Sequence, residues 1–145
     1  MKPTAHRNPG YEETISHNGH RLTPQRREVY EVLLAQRDHP TATEVFLRTK
    51  QRMPSISLAT VYNCLETLVQ CGLAKQVNVE RDATRYCPNL TEHGHFMCER
   101  CGKVFDVPLA SGSRVERTWD LPSGFIVTHS DITLRGVCAD CQPRT

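Results

Sequence analysis

The sequence predicts an α+β protein of two small domains: an N-terminal winged helix-turn-helix over residues 1–88, then a small α/β domain over residues 89–145 built around four cysteines. Three observations predict it. Between Thr23 and Gly72, apolar patterns of helical period follow one another, each opened by a residue able to cap a helix. From Leu73 to Cys87 the period shortens to that of strands. Beyond Pro88-Asn89 come further strand patterns and two C-x-x-C pairs.

Residues 1–10 are polar, with Pro3, Pro9 and Gly10, and read as a loose arm; a short helix is expected from Tyr11 to about Asn18. Thr23-Pro24 supplies an N-cap and a proline at the first helical position, and Val29, Tyr30, Leu33 and Leu34 form the apolar face of a helix ending near Gln36. Asp38-His39-Pro40 is a turn. Thr41 and Glu44 have capping-box spacing, and Val45, Phe46 and Leu47 carry the next helix towards Arg52, before Pro54. Ser57 caps a third helix through about Gln70, with Leu58, Val61, Leu65 and Leu68 on one face and Gly72 placed to end it. Ala74, Val77 and Val79 lead into a polar turn at Glu80–Ala83, and Thr84–Cys87 returns as a second strand. In the second domain, strands are expected at His95–Cys98, Val104–Pro108 and Phe125–Leu134, with a short helix around Ser113–Asp120.

The net charge of +2 says little by itself. Residues 1–90 carry 12 Lys/Arg against 9 Asp/Glu, and residues 91–145 carry 6 against 7, so a polyanion would meet the front half. No apolar stretch approaches the ~20 residues needed to span a bilayer, and the polar N-terminus lacks a signal-peptide core. A cytoplasmic protein is expected, with no membrane partner. Seven cysteines in a reducing compartment point to metal binding or redox chemistry rather than to disulfides.

Cys98-x-x-Cys101 and Cys138-x-x-Cys141 each aim two thiolates at one point from a tight turn, and two such knuckles make the four-sulfur cage of a structural Zn2+. The 36 residues between them (102–137) suit a site that staples the chain end onto a small domain. The other reading is two thiol or redox pairs, but a redox C-x-x-C belongs before a helix in a βαβ unit, and neither pair has that setting.

On the helix from Ser57, the face opposite the apolar one carries Thr60, Tyr62, Asn63, Glu66 and Thr67. Hydroxyls and amides near a helix N-terminus suit base edges and phosphates, while an ordinary solvated face would look the same. Arg26, Arg27, Lys50, Arg52, Lys75, Arg81 and Arg85 are candidate phosphate contacts. His93-x-His95 on a strand puts two imidazoles on one face. With Cys87, Asp106 and the distant His39 they make a transition-metal donor set of sulfur, carboxylate and imidazole. Cys64 and Cys71 read as packing or surface residues of the reader helix, and His6, His17 and His20 as solvated.

Leu22-Thr23-Pro24-Gln25-Arg26, His39-Pro40-Thr41-Ala42, Ser57 to Asn63, His93 to Gly102 and the Cys138–Cys141 pair occur in that order. Together they closely resemble the ferric uptake regulator (Fur) family over roughly residues 20–142. The resemblance implies a winged-helix DNA-binding domain and a C-terminal dimerisation domain. It also implies a homodimer on a palindromic duplex operator and a regulatory metal between the domains. It puts Tyr62 and Asn63 on the recognition helix and the four cysteines on structural zinc; Arg26, Ser57 and Thr60 are read with Tyr62 and Asn63 as DNA contacts. The regulatory metal (Fe2+, Mn2+ or Zn2+) would take His39, His93, His95 and Asp106. The departure is Cys87, where the iron- and peroxide-sensing branches carry a carboxylate. Zinc-sensing relatives pair a cysteine with H-x-H, yet their acidic ligand after the recognition helix is absent, Lys75 standing nearby. Glu92 and His129 resemble parts of a third metal site whose other positions are Gly94 and Ser113. The reading is therefore a metal-dependent repressor of metal-uptake or oxidative-stress genes, not an enzyme. The alternatives are a zinc-sensing uptake regulator, a constitutive zinc protein and a zinc-containing thiol redox enzyme.

Overall fold

The computed structural model describes residues 10–78, 83–110 and 119–143. The chain divides into two compact units, Met1–Leu90 and Thr91–Thr145. The first holds α1 (Tyr11–His17), α2 (Pro24–Ala35), α3 (Ala42–Lys50), α4 (Leu58–Gln70) and the strands β1 (Lys75–Val77) and β2 (Arg85–Cys87).

The helices start where the capping chemistry puts them. The Thr23 hydroxyl accepts from the Arg26 N–H at 3.2 Å, with Pro24 opening α2. Thr41 and Glu44 close a reciprocal capping box, each bond 3.3 Å, and Ser57 accepts from the Thr60 N–H at 3.1 Å. At the far end of α4 the Leu73 N–H donates to the Leu68 carbonyl and the Gly72 N–H to that of Val69. This paired closure needs the left-handed φ of 73° that Gly72 adopts.

Helices α2, α3 and α4 pack on one another around a core that includes Val29, Tyr30 and Leu33 of α2, Val45 of α3, and Val61, Leu65 and Leu68 of α4. Each such side chain contributes about 1.5–3 kcal/mol by leaving water. Tyr11 lays its ring 4.9 Å from that of Tyr30, and Ile15 is buried, which docks α1. Strands β1 and β2 pair antiparallel with Lys75 opposite Cys87. Three helices and a hairpin in this order are the winged helix-turn-helix expected.

Two assignments on α4 change. Leu58 is 39% exposed, and Ile56, ahead of the cap, is buried instead. Thr67 is buried rather than on the polar face, because its hydroxyl donates to the Asn63 carbonyl at 3.0 Å and needs no water. Cys64 and Cys71 are buried, and burial pushes both thiols up, which suits packing. The N-terminal arm through Pro9 and the hairpin tip at 79–82, with Val79 and Arg81, lie outside the described residues.

The second unit is a three-stranded sheet in the order β4–β3–β5, formed by β3 (His93–Cys98), β4 (Val104–Pro108) and β5 (Thr133–Gly136). β4 is antiparallel to β3, and β5 parallel. The expected long strand over Phe125–Leu134 is corrected to Thr133–Gly136. Pairing with β3 begins only at Thr133, and Phe125 and Ile126 stand 67% and 87% exposed, so their apolar character marks no ladder. The expected helix at Ser113–Asp120 falls largely on residues 111–118, outside the described ones. Among the described residues beyond 90, only Gly94, Cys98 and Val104 are buried. So small an apolar interior calls for a metal or a partner subunit.

Candidate metal centres and nucleic-acid interface

The four cysteines meet. The sulfurs of Cys98, Cys101, Cys138 and Cys141 lie within 4.8 Å of one another. Cys98 ends β3, and the turn after it is closed by the Gly102 N–H donating to the Cys98 carbonyl at 2.9 Å, with Gly102 at φ 73°. Cys138 precedes a 3-10 helix over Ala139–Cys141, and the guanidinium of Arg100, in the first knuckle, donates to the Cys141 carbonyl at 2.9 Å in the second.

Cys101 Sγ and Cys138 Sγ are 3.8 Å apart. The edge of a tetrahedron with zinc–sulfur bonds of about 2.3 Å is also about 3.8 Å. The N–H groups of Cys101 and Cys138 point at Cys98 Sγ from 3.5 and 3.4 Å and hold its thiol down at about 6, against the pull of burial. Cys141, crowded first by Cys138 and then by burial and the other two sulfurs, is pushed up to about 12. The Cys141 proton is held mainly by its hydrogen bond with Cys138 and by burial. A dication among the four sulfurs favours their thiolate forms, so the donor set fits zinc.

His93 and His95 lie on one face of β3, and Asp106 of β4 is the register partner of His95. The two Nε2 atoms are 3.1 Å apart and stand 3.2 and 3.3 Å from the same Asp106 oxygen. The His93 Nδ1–H donates to the Thr91 carbonyl at 2.6 Å, leaving Nε2 of the neutral ring with its lone pair. Two imidazole nitrogens and a carboxylate oxygen converging so closely fit a divalent cation. Gly94 between them lets the chain pass closely, since a Cβ there would meet the Ile132 carbonyl at 3.3 Å.

In the first unit, His39 and Cys87 are both buried, and their donor atoms lie within 4.8 Å of each other. His39 sits between α2 and α3 with φ at 56°. Strand β2 brings Cys87 there through an isolated bridge from Thr41 to Arg85 and the Tyr86 N–H donating to the Pro40 carbonyl at 2.9 Å. Imidazole and thiolate together suit a borderline-soft metal.

On α4, Tyr62 is 51% exposed and Asn63 is also exposed. The Ser57 and Thr60 hydroxyls are 2.9 Å apart and engaged in the cap. Arg26 folds its guanidinium onto the Arg21 carbonyl. Arg27 pairs with Glu12 at 3.3 Å and Arg52 with Glu28 at 3.1 Å, so these cations are partly neutralised. Arg85 is turned to the His39 carbonyl at 3.1 Å. Sequence reasoning missed the Thr91 carbonyl, the Arg100 link and the Asp38–Arg48 pair. No spacing rule signals the last two, because their partners are 41 and 10 residues apart.

The family model described as the ferric uptake regulator family matches residues 17–135. The chain belongs to the ferric uptake regulator family. Its Fur-family relatives include the peroxide-responsive repressor PerR of Staphylococcus saprophyticus, 34% identical over 131 residues, covering 90% of this chain and 88% of that one. Among solved Fur-family structures, the Campylobacter jejuni peroxide stress regulator superposes with a TM-score of 0.68 at 30% identity, over 90% of this chain and 93% of that one. A zinc uptake regulator complexed with zinc and DNA superposes with a TM-score of 0.64 at 26% identity, over 90% and 89%. Among the described residues, no helix is long and apolar enough to cross a membrane.

Proposed function

We propose that the protein is a metal-dependent transcriptional repressor that binds a palindromic DNA operator as a homodimer and controls metal-uptake or oxidative-stress genes. The observation that carries this reading is the convergence of His93, His95 and Asp106 on one point, a donor group distinct from the four-cysteine cluster. A structural metal alone would not need it. Zinc at Cys98, Cys101, Cys138 and Cys141 holds the second unit together, and its binding energy is folding energy.

The regulatory site takes His39 and Cys87 from the first unit and His93, His95 and Asp106 from the second. A divalent metal there supplies a positive centre that all of these donors favour. The chain's own part is to hold them ready: Thr91 fixes the His93 tautomer, and β2 sets Cys87 beside His39. Only an arrangement with every donor in place satisfies the metal, so occupancy shifts the population towards it. By reciprocity, operator DNA tightens metal binding. Tyr62 and Asn63 are the side chains offered to base edges. The likeness to a peroxide-responsive repressor and to a DNA-bound regulator supports the reading.

The test is operator affinity with and without added divalent metal; equal affinities end the proposal. Cys87 favours a second reading within this class, a zinc-sensing regulator, because a thiolate is a softer donor than a carboxylate. Elemental analysis of protein purified from its native cell separates them. One zinc per chain with a labile iron or manganese marks an iron or peroxide sensor, and two zincs mark a zinc sensor.

A further inference from the structure

His39 holds a backbone conformation that residues with a Cβ seldom adopt. Among the described residues it is the one non-glycine with positive φ. Such a conformation is strained for a residue with a Cβ and persists where the surroundings over-determine it. Those surroundings are explicit. Arg85 donates from Nη1 to the His39 carbonyl at 3.1 Å, and the next residue of β2, Tyr86, donates its N–H to the Pro40 carbonyl at 2.9 Å. On the other flank, the Asp38 carboxylate takes both arms of the Arg48 guanidinium at 2.8 and 2.7 Å, and Gln36 Nε2 at 3.1 Å.

Strand residues two apart share a face, so Arg85 and Cys87 project to the same side of β2. The face that presents the sulfur also carries the guanidinium that grips the turn presenting the imidazole. Arg48 holds the neighbouring carboxylate from α3, and the Tyr86 N–H holds the Pro40 carbonyl; Arg85 is the side chain of β2 that grips the His39 carbonyl itself.

We propose that Arg85 is a positioning residue for metal binding, acting through the His39 carbonyl to hold the His39 imidazole in register with the Cys87 sulfur. This rests on the reading of His39 and Cys87 as metal donors. Without Arg85 the turn keeps its Pro40–Tyr86 and Asp38–Arg48 ties, so the unit stays folded. The imidazole then loses its fixed direction, and part of the binding energy goes into ordering it. Partners that orient metal ligands in this way are typically worth about 10–100-fold in metal affinity.

The experiment is Co2+ titration of the full-length, zinc-loaded protein without DNA, followed by visible absorption, on wild type, Arg85→Gln, Arg85→Lys and His39→Ala. Thermal melts and a separate operator-binding titration of each run alongside. Arg85→Gln is expected to weaken Co2+ binding by about 10–100-fold with a near-wild-type melt. Arg85→Lys, which keeps the charge and one donor but not the planar fork, is expected to fall between. Wild-type cobalt affinity in Arg85→Gln, with His39→Ala weakened, overturns the positioning role and leaves the His39 reading standing. Unchanged affinity in both variants removes the His39 reading itself. Loss of operator affinity in Arg85→Gln with cobalt binding intact makes Arg85 a phosphate contact and likewise overturns the proposal. Should Arg85→Gln not fold, Arg85→Lys decides, and wild-type affinity there overturns it.

Discussion

His93 and His95 bring their Nε2 atoms to 3.1 Å of each other on one face of β3, with ring centroids 4.7 Å apart and nearly perpendicular. Two imidazole nitrogens and a carboxylate oxygen this close together suit a shared divalent cation. Removing one donor therefore tests regulation without touching the fold. His95→Ala is expected to leave a folded dimer whose operator affinity no longer rises with added metal, measured by fluorescence anisotropy on labelled duplex. Persistence of the metal response places the sensing site elsewhere.

Cys98 is the sulfur at the centre of the knuckles, receiving N–H groups from both. Cys98→Ser is expected to release zinc and to unfold the second unit or dissociate the dimer, read by elemental analysis, circular dichroism and gel filtration. Strong chelators are expected to do the same to wild type, since structural zinc contributes apparent energies of about 10–16 kcal/mol in small domains. A folded dimer that retains zinc refutes the assignment.

Tyr62 and Asn63 stand exposed on α4 and contribute little to the core. Alanine at either is expected to weaken specific operator binding by about 1–3 kcal/mol while changing the melting temperature little. Equal losses on specific and random duplexes show that these residues read no bases.

Asp38 and Arg48 form a two-armed ion pair, with side chains 44% and 26% exposed. Burial pushes the Asp38 carboxyl up, but the Arg48 hydrogen bond and charge outweigh it and leave it below the ordinary carboxylate range. A depressed carboxyl contributes stability above its unfolded pKa of about 3.9 and loses it as the pH falls through the lower folded value. Arg48→Ala is thus expected to lower stability above about pH 4 by under about 1 kcal/mol, solvent screening being considerable. The gap to wild type is expected to narrow below about pH 4. A gap independent of pH shows that packing of the Arg48 stem, not the ion pair, carries the effect.

Much of this was legible in the residues. Thr23-Pro24, Thr41/Glu44 and Ser57 start helices by local hydrogen bonds, which depend only on near neighbours, and all three start where those bonds form. The two C-x-x-C pairs were equally readable, because each knuckle is a local turn. The stretch 125–134 was not. Its apolar residues have the composition of a strand, but a strand exists only where a neighbour pairs with it, and β3 reaches only to Thr133. The burial of Thr67 and the exposure of Leu58 escaped for a similar reason: helical period orders a face without saying where its ends run out of partners.

The sequence by itself determined the order of elements, their caps, the donor types and the family, since these follow from spacing and side-chain chemistry. Tertiary structure decided which donors meet within each unit and how they are held. His93, His95 and Asp106 converge because of a strand register, and Arg85 reaches the His39 carbonyl across 46 residues of chain. Such contacts arise from packing many side chains at once, and no local pattern encodes them.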